Sequence, residues 1–169
     1  TVFSNLKREN NTKARLYSSY TELSKWKLLY TFPVLLYKII RHYRTILTYK
    51  KNITALYPST LSQYKNIYSN LHMLFHPVDH LHFEFSVLAV SKEYIAKAMG
   101  AKMSVSFRGY DVSISLLKNP KSFQAVWECV DEVHTISDDL VKRALKHGMR
   151  SNTKVTKIEP AIDLSNFSA

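Results

Sequence analysis

From residue 78 onward the chain alternates between strand-like and helix-like periods at short intervals, and this restricts its fold most. "VDHLHFEF" (78–85) reads as a short strand with period two. Ser86 to Met99 reads as a helix closed by Gly100. "KMSVSF" (102–107) is the next strand, 108–120 a loop ended by Asn119-Pro120, and helix follows to about Val130. "DEVHTI" is a third strand. Ser137 then stands at a helix N-cap, with Asp138 and Asp139 in the first turn where the helix dipole favours acids. That helix ends at Gly148, and "TKVTKIEP" is a fourth strand. Strands alternating with helices through short loops predict an α/β fold, a Rossmann-like parallel sheet flanked by helices.

In such sheets ligands lie beyond the carboxyl ends of the strands. The residues expected there are His82 and Glu84, then Arg108, Gly109 and Asp111, then His134 and Ser137, then Glu159 and Asp163. Gly109 lets the backbone turn tightly after a buried strand. Arg108 offers a fixed cation with planar donors, suited to phosphate or carboxylate. Asp111 is a possible partner for Arg108 that would merely close the loop. Glu84, which shares a strand face with His82 at spacing two, is the other. His82 can equally be a histidine satisfied in the core, and Ser137 is most simply a helix cap. His72, His76, His80 and His82 match no standard metal-ligand spacing, so no metal is expected. Three glycines and no glycine-rich phosphate loop speak against a self-contained nucleotide-binding domain.

The charge is uneven. Of the net +11, residues 1–70 hold 12 Lys/Arg against 2 Asp/Glu, and residues 71–169 hold 12 against 11. A basic first half points to an anionic partner. Within it, "KLLYTFPVLLYKIIRHYRTILTYKK" (27–51) is amphipathic at helical spacing. Leu28, Phe32, Leu35, Leu36, Ile39, Tyr43, Ile46 and Leu47 fall on one side, and the main segment should start near Pro33. This stripe is expected to pack on the sheet. Lys38, Arg41, Arg44, Lys50 and Lys51 are then the residues to face an anionic membrane, mainly by electrostatics. The apolar run 28–37 is too short to span a bilayer. A further helix is expected at about 59–75, after Pro58. Cys129, the one cysteine, excludes an internal disulfide and suits a reducing compartment, and the N-terminal stretch lacks an apolar core of signal-peptide length.

The same strand-end residues carry a family likeness. "DHLHFEF" is similar to D-[IV]-[IV]-H-x-H-F, and "SFRGYDV" to T-x-H-G-x-D. "VDEVHTISDDLVKRALKHG" is similar to A-D-x-[IV]-x-x-x-S-x-x-L…G, and "KVTKIEPAIDLSNF" to K-[IV]-x-[IV]-I-P-N-G-[IV]-D-x-x-x-F. In this order the four segments resemble the N-terminal domain of family 4 glycosyltransferases, the retaining GT-B enzymes of exopolysaccharide and lipopolysaccharide synthesis. The likeness covers about residues 75–169; residues 1–74 fit by position and helical character. Two departures stand out. Arg108 replaces the family's usual histidine, as in a subgroup with H-F-[EQ]-[FW] and S-x-R-G, and Glu159-Pro160-Ala161 replaces P-N-G.

The resemblance implies the N-terminal half of a GT-B fold, cut at both ends, with the family's first strand before residue 1 and its donor domain after residue 169. The implied reaction moves a sugar from a nucleotide-sugar donor to a glycan or lipid-linked acceptor, without metal or other cofactor. Arg108 and Glu84 would be catalytic; His82, Gly109, Asp111, His134, Ser137 and Glu159 would bind substrate. The implied location is cytoplasmic, peripheral at the inner face of the plasma membrane. The rival readings are a basic nucleic-acid-binding module, which lacks any RNP, zinc or helix-turn-helix signature, and a non-catalytic membrane-surface module.

Overall fold

The computed structural model describes residues 25–115 and 120–158. Three helices come first: α1 (Lys25–Arg41), α2 (Tyr43–Ile53) and α3 (Thr60–Leu74). Strands and helices then alternate as β1 (His80–Phe83), α4 (Ile95–Met99), β2 (Lys102–Phe107), α5 (Gln124–Cys129), β3 (Glu132–Thr135), α6 (Asp138–Lys146) and β4 (Lys154–Lys157). The strands form one sheet in the order β1-β2-β3-β4, and every pairing is parallel. The arrangement is α/β and Rossmann-like, as the alternation predicts.

Each crossover steps the same way across the sheet. Connections of a single hand therefore fall on one face. The register puts Leu81, Phe83, Met103, Val105, Phe107 and Val133 on that face. They pack against Val126 and Trp127 of α5 and Leu140 and Ala144 of α6. Trp127 anchors this core, stacked on Phe123 at 5.6 Å and edge-on to Phe107 at 5.8 Å. The two glycines expected to end helices do so in left-handed conformations, φ +74° at Gly100 and +102° at Gly148. Behind each, the next N–H reaches back five residues, Ala101 to the Ala96 carbonyl at 2.9 Å and Met149 to that of Ala144 at 3.0 Å.

Three expectations need correction. The segment 86–99 is not one helix: a 3₁₀ turn (Ser86–Ala89) and α4 flank Ser91, whose φ is +66°. Helix α1 does not wait for Pro33 but already runs from Lys25, because the Lys- and Leu-rich run before Pro33 is itself helix-forming. The chain breaks instead at His42, between α1 and α2. Finally, the apolar stripe is not used up on the sheet. Helices α2 and α3 pack on each other and on α4, around Tyr49, Ile53, Ile67, Leu71 and Ile95. Phe32, Leu36, Ile40, Tyr43 and Leu47 remain 46–63% exposed.

Ser91 keeps its strained conformation because buried polar groups converge on it. Its carbonyl accepts from Asn66 Nδ2 (3.0 Å) and Asn70 Nδ2 (2.9 Å), and its N–H donates to Glu93 Oε1 (2.7 Å). The Tyr49 hydroxyl donates to Asn66 Oδ1 (2.7 Å) and accepts from Asn70 Nδ2 (3.1 Å). Burial pushes the Glu93 carboxyl above its ordinary range. This cluster ties α2 and α3 to the turn before α4. Removing one hydroxyl leaves buried amide groups short of a partner. Tyr49→Phe is expected to lower stability by about 1–3 kcal/mol, read from urea unfolding. A loss under about 0.5 kcal/mol would mean that apolar packing alone holds the helices there.

Candidate functional site

The sheet face away from α5 and α6 is polar. Along each strand the alternate residues point there: His80 and His82 from β1, Ser104 and Ser106 from β2, Glu132 and His134 from β3, Thr156 from β4. They bond to one another. His80 Nε2 and His82 Nδ1 each lie 2.7 Å from Ser104 Oγ, and His82 Nε2 lies 3.1 Å from Ser106 Oγ. The Ser104 hydroxyl has one proton, so it donates to one ring and accepts from the other. The Thr156 hydroxyl donates to Glu132 Oε1 at 2.7 Å, and Lys154 Nζ approaches the same oxygen at 3.0 Å. These two donors hold the Glu132 carboxyl below its ordinary range. The rings of His82 and His134 lie side by side, 5.0 Å between centroids.

The carboxyl end of the sheet continues this face. Arg108 follows β2 and Glu84 follows β1, and Arg108 Nη2 donates to Glu84 Oε2 at 2.7 Å. Glu84 is one of the two acidic partners expected for Arg108. Both side chains remain largely in solvent, 49% and 63% exposed, so the pair is worth about 0–1 kcal/mol. Its effect on charge is clearer. The bond from Arg108 holds the Glu84 carboxyl below its ordinary range, so Glu84 stays an ionised acceptor and does not serve as an acid. His82 Nε2 lies 3.8 Å from Glu84 Oε1. Burial nevertheless lowers the His82 pKa; Glu84 opposes the shift, and His134, His80 and Arg108 add to it. His82 is therefore neutral at pH 7, a hydrogen-bonding group and not a second cation.

A cleft of about 80 Å³ opens beside Arg108, lined by Ser106, His134, Thr135, Ile136 and Ile158. Gly109 has φ +93° with open space around its Cα, so a side chain there would suffer from the backbone angle and not from crowding. Ser137 stands at the N-cap of α6, but its side chain makes no capping bond. Thr135 Oγ1 fixes that corner instead, donating to the Ser137 carbonyl (2.9 Å) and accepting from its N–H (3.3 Å). Asp138 and Asp139 pair with Lys157 (3.2 Å) and Arg143 (2.7 Å). Asp111 opens a single π turn (Asp111–Ser115). The Asp111 side chain, Glu159 and Asp163 lie outside the described residues.

The structure thus brings His82, Glu84, Arg108 and His134 together, next to Gly109. It adds Ser104, Ser106 and Glu132, which sequence reasoning passed over, and His80, which it weighed only as a metal ligand. The signal was present: "HLH", "SVS" and "EVH" carry polar residues at spacing two on strands predicted to share one sheet. None of Lys38, Arg41, Arg44, Lys50 and Lys51 belongs to this site. They lie on α1 and α2, where Lys38 faces the Phe75 ring (5.8 Å), Arg44 the Tyr43 ring (5.8 Å) and Lys50 the Tyr64 ring (4.6 Å).

No protein-family model matches this chain, and no curated protein or solved structure matches it either. Its chemistry is read from the side chains themselves, and pH probes them directly. A histidine whose folded pKa lies below the ordinary 6.5 binds fewer protons folded than unfolded. Its contribution is complete above that value and is lost as pH falls toward the folded pKa. Glu84 loses its contribution in a separate window, below the ordinary carboxylate value of 4.5. Burial lowers the pKa of His42 as well, so both histidines should make the thermal midpoint fall between about pH 7 and pH 5, and His82→Gln should make that limb shallower while sparing the lower one. An unchanged limb in His82→Gln would place the titration on another group.

Proposed function

We propose that this chain is the acceptor-side part of a retaining glycosyltransferase, which moves a sugar from a nucleotide-sugar donor to a glycan or lipid-linked acceptor in cell-surface polysaccharide synthesis. One observation carries the reading: Arg108, anchored by Glu84, stands at the carboxyl end of β2 beside a cleft that His134 also lines. In a retaining transfer the leaving nucleoside diphosphate gains negative charge, and a positioned cation lowers that barrier. Arg108 has the charge and geometry for this, or for holding the phosphate of a lipid-linked acceptor. Neutral His82 and ionised Glu84 are suited to sugar hydroxyls or to fixing Arg108. The main nucleotide contacts would come from a donor domain outside these residues. The 169-residue chain alone is accordingly expected to transfer no sugar and to bind nucleotide sugars weakly.

The test is turnover by the complete reading frame. Arg108→Gln is expected to lower kcat by about 100-fold or more, with Arg108→Lys recovering part of the loss. Unchanged turnover in Arg108→Gln would overturn the role given to this residue. Absence of any transfer by the complete protein, across nucleotide sugars and prenyl-phosphate acceptors, would overturn the reading itself.

The membrane is the second partner in this proposal. Between Glu22 and Asp79 the chain has 8 Lys/Arg and no acid. No helix among the described residues is long and apolar enough to cross a membrane. Contact would be peripheral, with the exposed ridge of α1 and α2 adding an apolar share to the electrostatic one. Changing Lys38, Arg41, Arg44, Lys50 and Lys51 to Gln should remove most sedimentation with anionic liposomes. Raising the salt should weaken the parent protein's binding without abolishing it. Tight DNA binding with a steep salt slope, and no liposome binding, would favour the nucleic-acid reading instead.

A further inference from the structure

Away from the strand-end site, an apolar groove of about 410 Å³ runs between the first three helices. Its walls are Ile39 of α1, Ile46 and Leu47 of α2, and Ile67 and Leu71 of α3. Ile67 and Leu71 form a buried floor; Leu47, 59% exposed, is an open wall. Water in such a trough finds few partners, so an apolar occupant gains by displacing it. The one charged residue on the lining is Lys50. Its Nζ donates to the Tyr64 hydroxyl at 3.1 Å and lies over the Tyr64 ring. Among the described residues Lys50 meets no carboxylate, and α1 to α3 contain none that could neutralise it. Leu47 also belongs to the exposed apolar ridge at spacings of three and four, Phe32, Leu36, Ile40, Tyr43 and Leu47, so the groove opens onto a surface already suited to a bilayer.

We infer that this groove is a lipid-chain site: it holds one hydrocarbon chain of an anionic amphiphile, whose head group sits at Lys50. Aliphatic side chains and the Tyr64 and Tyr68 rings line the groove with Lys50 as its one cation, which is the pattern of a single-chain anionic lipid. An acidic helical peptide would need several cations spaced along the groove, and Lys50 is alone on its lining. The site neither includes Arg108 nor requires sugar transfer. It is also distinct from adsorption to a charged surface, because it predicts one chain per protein.

The probe is a nitroxide-labelled stearate below its micellar concentration, added to the whole 169-residue protein and followed by NMR. Binding should saturate at one probe per protein, and the label should broaden the methyl signals of Ile39, Ile46, Ile67 and Leu71 before others. Lys50→Gln should weaken binding roughly tenfold, the loss of one charge-assisted contact. Leu47→Glu, at an exposed position that should not disturb folding, should abolish it. Lys142→Gln, exposed and on a helix away from the groove, should leave it unchanged. Non-saturable binding would overturn the inference. So would broadening spread evenly along the α1 ridge, equal losses in Lys50→Gln and Lys142→Gln, or capture of an acidic amphipathic peptide but not of stearate.

Discussion

The one-directional pairing of four parallel strands governs this molecule. Because each strand joins on the same side of the last, the crossover helices collect on one face of the sheet. That face becomes the core, and the strands' alternation leaves the other face to different chemistry. Parallel sheets are ordinarily apolar on both faces. Here the second face carries histidine, serine, threonine and glutamate, which satisfy one another across the strands. A buried serine hydroxyl such as that of Ser104 is tolerable because two imidazoles meet it. The polar face then runs without interruption into the strand-end site, so His82 and His134 lie beneath the Glu84–Arg108 pair.

The helical layer obeys a different constraint. Helices α1 to α3 have a strong positive charge and no acid, so their association gains nothing from ion pairs within the unit. Apolar contacts with α4 and the polar cluster at Ser91 hold them. Attachment through α4 uses only one side of α2 and α3. The remaining apolar residues stay at the surface, beside the same cations. The exposed hydrophobic area follows from packing on a short helix and not on a broad sheet.

Much of this was legible in the sequence, for identifiable reasons. Strand positions followed from period-two alternation, and Gly100 and Gly148 marked helix ends because few other residues adopt positive φ at low cost. Residue type left Arg108 two acidic partners, Asp111 and Glu84, and the structure shows it bonded to Glu84. The failures are equally physical. Ser91 was not legible as left-handed because, apart from Glu93, the groups that hold it come from residues 49, 66 and 70. Pro33 looked like a helix start because its cost inside a helix is real, yet the flanking residues outweigh it. Ser137 looked like a cap, but the Thr135 hydroxyl two residues earlier takes that corner. The fate of the α1 stripe depended on which surface lay opposite, and periodicity does not encode that.

The strand-end site can be ordered by how easily each group changes state. Glu84 and Arg108 are paired but solvated, so an incoming anion displaces a contact worth only about 0–1 kcal/mol. A phosphate on the same guanidinium would be screened in the same way, so any advantage over the carboxylate lies in its greater charge and number of acceptor oxygens. His82 is bound on both ring nitrogens and kept neutral by burial, so protonating it breaks an established hydrogen-bond pattern. The site thus sets a solvated ion pair above a neutral scaffold that resists change beneath it.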